Sequence, residues 1–411
     1  MIRSSSIYYA LFLSTVIAVL LGSLVLFSAM NRQLSNHLEI ENVLSSNSES
    51  GIQYGLAKHY EMDFETPLPL RLYSNGIDSV ILLKKRWGAH RIIESTAVHG
   101  NLSNTHIALT GSHPSEKMPN LYVPDNGKPI VVCGDTHLEG NLLLPISGIK
   151  RGTIEGQNYS DVSLFYGVKS YSNKVLPEFQ SSIIENLIPD SADFLVWDNT
   201  MDSVANSFTQ RTQHYLSDSY IFLNDVYAHG NVILESKDSI IVGANAEIEY
   251  VILKSPVIVF QNGFKGNVQA FASKKITLEE NSCLTYPSVL GIFEAKFPEK
   301  ESASICFHSS SQMIGSVFLI SQQPDFRFPV QLNMAEDSQI DGLVYCTGTT
   351  QLSGTVNGSL YTNGLSLTTP TSKYENHILN GKILNQLPEE FVFIDLLESN
   401  NELLTVITWL D

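Results

Sequence analysis

Basic residues are scarce in this chain of 411 residues, because 42 Asp and Glu outnumber 25 Lys and Arg. The formal net charge of −17 argues against nucleic acid as a partner, since phosphate binding requires a basic surface. It also argues against anionic lipid as a partner beyond a membrane anchor. An acidic surface on an exported domain favours solubility more often than it reflects a substrate.

Signatures of catalysis are also missing, since the sequence has no GxSxG, HExxH or Walker motif. The pairs Glu279–Glu280 and Glu389–Glu390 flank a turn and a proline, which predicts exposure and not the facing carboxylates of a glycosidase. His99, His106 and His113 recur every seven residues, a spacing that alternates faces in a strand. We therefore predict no catalytic residue, no metal, no cofactor and no small-molecule substrate.

Cysteine is rare, with four residues at Cys133, Cys283, Cys306 and Cys346. None forms a CxxC pair or a Cys/His cluster at metal-ligand spacing, which excludes a conventional zinc site. Cys283 and Cys306 are the nearest pair and the candidates for one disulfide in an oxidising compartment. The alternative is that the thiols serve as small buried hydrophobes.

One long apolar run stands out near the start of the chain. The 24 residues from Ile7 to Met30 carry no charge, and as a helix they span ~36 Å, enough for a hydrocarbon core of ~30 Å. The alternative is a cleaved signal peptide, which has a shorter apolar region of ~7–15 residues. We expect an uncleaved, single-pass anchor in the inner (cytoplasmic) membrane. Arg3 then lies inside, and the bulk of the chain lies in the periplasm or outside.

The region after the anchor is predicted to remain helical. From Asn31 to about Asp63 the sequence lacks proline and repeats apolar residues at i,i+4, and Pro67 then ends the pattern. Gly51 and Gly55 fall on one face of this helix, where they would permit close approach of a helix from another protein. The alternative is that both glycines only loosen a stalk.

The leader, the apolar helix, its extension and the segment SESGIQYGLA (Ser48 to Ala57) resemble the N-termini of minor pilins and minor pseudopilins. The resemblance implies contacts with other envelope proteins in a pilus-like or type II secretion-like apparatus. The sequence departs from the family pattern because no Gly and no Glu occur between Met1 and Leu13. Those two residue types mark the processing site of pilin-like proteins.

Beyond Pro69, short β-branched runs alternate with Gly, Asn, Ser and Asp, a pattern typical of strands. A motif of apolar, any, Gly, any, apolar recurs, for example MIGSV at Met313 and IDGLV at Ile340. Such repeats predict a mainly β fold after the transmembrane helix: a right-handed parallel β-helix (β-solenoid) with loop insertions. An all-β sandwich is the alternative. The glycines predicted to form structural turns are Gly230, Gly266, Gly315, Gly342 and Gly354.

The repeat region, including GTVNGSLYTNG from Gly354 to Gly364, resembles the polymer-forming domains of bactofilins. Together with the anchor, it resembles bacterial membrane-anchored β-solenoid envelope proteins, a group that implies no activity. We therefore expect a non-enzymatic structural or assembly protein of the bacterial cell envelope. The alternative is a membrane-anchored, polysaccharide-active β-helix enzyme or carbohydrate-binding module.

These patterns divide the chain into five predicted segments. They are a cytoplasmic stub with the transmembrane anchor (1–30), a helical stalk (31–66), an N-terminal β layer or cap (67–128), a β-solenoid with insertions (129–386) and an acidic C-terminal cap (387–411).

Overall fold

The computed structural model describes residues 4–72, 79–113, 118–180, 183–184, 187, 193–294, 302–321, 330–397 and 404–410. The chain forms two compact units. Unit 1 consists of Met1–Leu83 and Glu94–His106, and unit 2 consists of Lys84–Ile93 and Ile107–Asp411.

The predicted long N-terminal helix is confirmed as α1, Ser4–Ala57. It ends before Asp63 because the chain tightens after Ala57: the Lys58 amide still donates to the Tyr54 carbonyl oxygen, and a 3-10 turn, His59–Glu61, follows. The mainly β character of the rest of the chain is also confirmed.

The strands fall into three groups along the chain. The first group is β1 Leu68–Leu70, β2 Ser79–Trp87, β3 His90–His99, β4 Leu102–Ser112, β5 Leu121–Tyr122, β6 Ile130–Cys133, β7 His137–Leu144, β8 Ile149–Arg151, β9 Thr153–Ile154, β10 Gln157–Asn158 and β11 Tyr166–Tyr171. The second group is β12 Leu195–Val196, β13 Ser203–Asn206, β14 Gln213–Ser217, β15 Ile221–Leu223, β16 Tyr227–Gly230, β17 Val232–Ser236, β18 Ser239–Val242, β19 Glu247–Glu249, β20 Val251–Phe260, β21 Lys265–Gly266, β22 Val268–Leu278 and β23 Cys283–Glu294. The third group is β24 Ser304–Phe307, β25 Gln312–Ser321, β26 Gln331–Met334, β27 Gln339–Leu352, β28 Thr355–Thr368, β29 Lys373–Glu375, β30 His377–Leu379, β31 Lys382–Leu384 and β32 Leu404–Trp409.

In unit 1 the part of α1 from Ile40 onward packs on strands. β1 pairs antiparallel with β2, and Leu44 of the helix shares an apolar cluster with Met62, Val80, Leu82 and Ala97. From Ile40 onward, the i,i+4 apolar pattern of the helix extension therefore fits the strands of its own unit. This part of α1 is a packed element and not a bare stalk.

In unit 2 most strands pair in parallel. β14 pairs with β17, β17 with β20, β20 with β22, and the series continues through β23, β25 and β27 to β28. The apolar residues of the glycine motif are buried in one core, as shown by Met313, Val317, Ile340 and Val344. The motif thus marks side chains that point to the same side on neighbouring strands.

The order of these strands departs from the chain order. β31 near the C-terminus pairs in parallel with β7, and β7 pairs with β11, so the last repeats lie beside the first. β32 lies in the segment that was predicted to form an acidic C-terminal cap (387–411). It pairs antiparallel with β4, between Leu404 and Ser112 among others.

An aromatic column runs along the outer surface of the parallel strands. Register pairs connect Phe271 through Gly291 to Phe318, and then Tyr345 and Tyr361. The segment after β11 lies over this column, because the Tyr345 hydroxyl donates to the Pro177 carbonyl oxygen. The Phe179 ring lies 5.8 Å from that of Phe318. These contacts form a second apolar cluster outside the main core.

Candidate functional site

The exposed first half of α1 is the most distinctive surface of unit 1. Among the residues that the structure describes, α1 is the one helix long and apolar enough to cross a membrane. Its apolar segment from Ile7 is not buried by other described residues. Ile7 and Met30, the predicted limits of the anchor, are both exposed. The helix is therefore a candidate membrane anchor or signal sequence.

Apolar exposure continues beyond Met30. Leu34 and Leu38 have exposed fractions of 57% and 50%, and they lie one turn apart on the uninterrupted helix. The 24-residue run before them already spans ~36 Å, so a bilayer core of ~30 Å does not need these two leucines. We call the pair Leu34 and Leu38 the juxtamembrane leucines.

Gly51 and Gly55, the predicted helix-contact glycines, are both buried. A Cβ at Gly51 would overlap Ser95 Oγ and lie 2.8 Å from Val80 Cγ1. Next to it, Ser48 Oγ lies 2.6 Å from His106 Nδ1. Gly51 thus permits close approach of strands from its own unit, which corrects the predicted contact with a helix of another protein at this position.

Gly315 and Gly342 lie in register on β25 and β27, and Gly358 continues the column on β28. Their φ angles are +145°, +142° and +128°. A Cβ at Gly342 would overlap the carbonyl oxygen of Gly315, and a Cβ at Gly358 would overlap that of Gly342. Each glycine is required both by its backbone and by the close approach of the neighbouring strand.

The other predicted turn glycines differ among themselves. Gly230 has φ +82°. Gly266 and Gly354 lie outside the positive-φ region, but a Cβ at either position would be too close to a carbonyl oxygen. Gly358, which the sequence analysis missed, takes the column position instead of Gly354. Its signal was present, since VNGSL around Gly358 is another copy of the motif.

The four glutamates considered for a glycosidase site are exposed or half-buried. Glu280, Glu389 and Glu390 are exposed, and Glu279 is half-buried beside its turn. Within the described part of the chain, no group of three or more His, Cys, Asp or Glu could hold a metal ion. All four cysteines are free, so Cys283 and Cys306 are not joined. Burial raises the pKa of the Cys346 thiol to about 11, as expected of a small buried hydrophobe.

A buried ionic cluster connects β3, β4 and the C-terminal segment of unit 2. Arg91 Nη2 donates to Asp395 Oδ2, and Ser112 Oγ donates to Asp395 Oδ1. The Arg91 and Asp395 side chains are only 13% and 10% exposed. Burial, followed by the charge of Arg91, lowers the pKa of Arg86 to about 10. Sequence analysis missed this cluster because Asp395 lies 304 residues from Arg91 and 283 from Ser112 along the chain.

His90, next to Arg91, predicts a pH dependence of stability. His90 Nε2 lies 3.3 Å from the Pro287 carbonyl oxygen, and Nδ1 is buried without a hydrogen-bond partner among the described residues. Burial lowers the pKa of His90 from 6.5 to about 4. As the pH falls, the unfolded state therefore binds the proton at a higher pH than the folded state does. Stability that is present above pH 6.5 is lost as the pH falls through 4, and the loss reaches about 3 kcal/mol.

The measurement is denaturant unfolding of the wild type and His90→Gln between pH 7.5 and about 4. Because other groups titrate alike in both proteins, the difference in their free energies of unfolding isolates His90. We expect the variant to gain stability relative to the wild type as the pH falls. A difference that does not change with pH would contradict the assignment.

Comparisons with known proteins add little to this geometry. No protein family matches the chain, and no curated protein matches it. Among solved structures it is similar to the competence-associated pilin ComZ from Thermus thermophilus, with a TM-score of 0.26 and 9% identity over 89% of this chain and 96% of that chain. At these values the match establishes neither a common fold nor a family.

Proposed function

We propose that this protein is a non-enzymatic structural or assembly subunit of a bacterial cell envelope, anchored in the inner membrane by residues 7–30. The observation that carries the proposal is the apolar surface of α1 beyond the anchor. Exposed leucines on a helix outside the bilayer core gain free energy by packing on a partner. Partner helices of a pilus-like or secretion-like apparatus fit this surface.

We further propose that unit 2 is a parallel β-helix. The support is its long series of parallel pairs, in which register-paired residues such as Gly315 and Gly342 repeat along the chain. A sandwich would be built from antiparallel sheets. A stacked parallel unit of this kind presents a long, rigid surface, which suits a protein that works through contacts.

The test replaces both juxtamembrane leucines with serine and follows crosslinking to neighbouring proteins in native membranes. We expect loss of crosslinked products at normal protein abundance, because two exposed apolar side chains contribute roughly 1.5–3 kcal/mol each when buried. The control is Gln33→Ser with Asn36→Ser, which changes two polar residues on the same exposed segment. Unchanged crosslinking in the leucine variant would contradict an assembly role for this surface.

The carbohydrate-related alternative gains support for binding but not for cleavage. Glycoside hydrolysis generally uses two carboxylates that face each other across a cleft. A cleft in unit 2, described below, is lined by one carboxylate among the described residues, Glu235.

A further inference from the structure

Unit 2 contains a cleft of about 500 Å³ beside the end of the aromatic column. This volume lies within the range typical of small-molecule sites, ~300–1,000 Å³. Part of the cleft is apolar and combines residues of β20, β22 and β23 with residues of the segment that follows β11. The apolar lining residues are Ile184, Leu187, Pro256, Phe271, Ala272 and Phe293.

The polar part of the cleft is a row on neighbouring parallel strands, and it continues the aromatic column because Lys254 pairs in register with Phe271. Glu235 and Lys254 are in register on β17 and β20, and Lys254 Nζ lies 3.1 Å from Glu235 Oε1. His214 Nε2 lies 2.9 Å from the other carboxylate oxygen, Oε2. Burial raises the pKa of Glu235, but the hydrogen bonds from His214 and Lys254 outweigh it, and the pKa lies below its usual value. The row is therefore a charged, paired network.

Both members of the ion pair keep hydrogen-bonding capacity that faces the cleft. A carboxylate has about four acceptor positions and an ammonium group has three donors. One Glu–Lys contact and one His–Glu contact use only some of them, so unused acceptors and donors lie side by side.

We propose that this cleft binds a neutral carbohydrate. The Glu235–Lys254 pair has no net charge, and Lys237, which also lines the cleft, is paired with Asp218, so the lining favours neither an anion nor a cation. Its adjacent donors and acceptors suit hydroxyl groups, because a hydroxyl donates and accepts at once. The apolar wall with Phe293 suits the C–H face of a sugar ring. The single carboxylate, already paired with Lys254 and His214, fits recognition and not hydrolysis.

The experiment measures binding of maltotriose, cellotriose and chitotriose to the full-length chain in lipid nanodiscs, which avoids detergents with sugar headgroups. We expect saturable binding of at least one trisaccharide with a Kd between about 10 μM and 1 mM. Lys254→Met removes hydrogen-bond donors, and Ser273→Trp fills the cleft. Each variant should weaken trisaccharide binding at least about tenfold.

The matched control is Lys265→Met, which removes an exposed lysine on β21 outside the cleft lining and should leave binding unchanged. The proposal is overturned if no trisaccharide saturates at about 10 mM, or if Lys254→Met and Ser273→Trp bind as the wild type does. Decanoate binding that Ser273→Trp abolishes, without any trisaccharide binding, would make this an apolar-acid site and would also overturn it. The inference is independent of the juxtamembrane leucines, so either proposal can fail alone.

Discussion

Gly342→Ala is expected to destabilise unit 2 by at least about 4 kcal/mol, well above the effect of most single substitutions. The backbone of Gly342 has φ +142°, where a side chain costs about 1–3 kcal/mol. The new Cβ would also overlap the Gly315 carbonyl oxygen, and that oxygen belongs to a neighbouring strand that cannot move alone. The two costs add because both strands are held by pairs on each side.

Two alanine variants separate these costs. Gly127 has φ +74° and open space around its Cβ position, so Gly127→Ala should cost only the backbone part, roughly 1–3 kcal/mol. Gly364 is outside the positive-φ region, and its nearest neighbour is Thr349 Cγ2 at 3.7 Å, so Gly364→Ala should be within about 0.5 kcal/mol of the wild type.

The measurement is thermal and denaturant unfolding of the full-length chain, followed by far-UV circular dichroism. The expected order of stability is Gly364→Ala, then Gly127→Ala, then Gly342→Ala. Equal stability of Gly127→Ala and Gly342→Ala would show that neighbouring strands do not restrict the side chain at Gly342 in the glycine column. That result would also weaken the proposal of a parallel β-helix, since stacked close strands are its main support.

Local patterns in the sequence predicted much of this fold. Hydropathy alone predicted the helix from Ile7 onward, and the recurrence of the glycine motif predicted a mainly β fold in which Gly315 and Gly342 are structural glycines. Turn lengths vary between strands, however, and the motif near Gly354 could be aligned in two ways. The register that selects Gly358 depends on pairing with β27, which sequence spacing does not encode.

Contacts between distant residues were beyond local patterns. The apolar spacing around Gly51 is the same whether a helix packs on its own strands or on a partner, so burial against Ser95 could not be predicted. The pairing of β31 with β7 and the cleft beside Glu235 depend on register across strands. The juxtamembrane leucines, by contrast, follow from the helix pattern and the length of the anchor.

Asp395→Asn is expected to destabilise unit 2 by about 3–5 kcal/mol, the usual result of removing one partner of a buried ion pair. Asparagine keeps the shape of the side chain but removes the charge that balances Arg91. A guanidinium group only 13% exposed would then remain without its carboxylate, and its Nε and Nη1 atoms already have no partner among the described residues. The Ser112 hydroxyl would also lose its charged acceptor.

Glu375→Gln provides the matched control, because Glu375 pairs with Lys128 at 2.5 Å on the surface, where the two side chains are 75% and 61% exposed. Solvent screening limits such a pair to about 0–1 kcal/mol. We expect denaturant unfolding to show a large loss for Asp395→Asn and a small one for Glu375→Gln. The double variant Arg91→Met with Asp395→Leu should recover part of the loss, since neither member of the buried pair is left without the other. If Asp395→Asn were as mild as Glu375→Gln, water would have to reach Arg91, and the cluster would not hold β3 and β4 to the C-terminal segment.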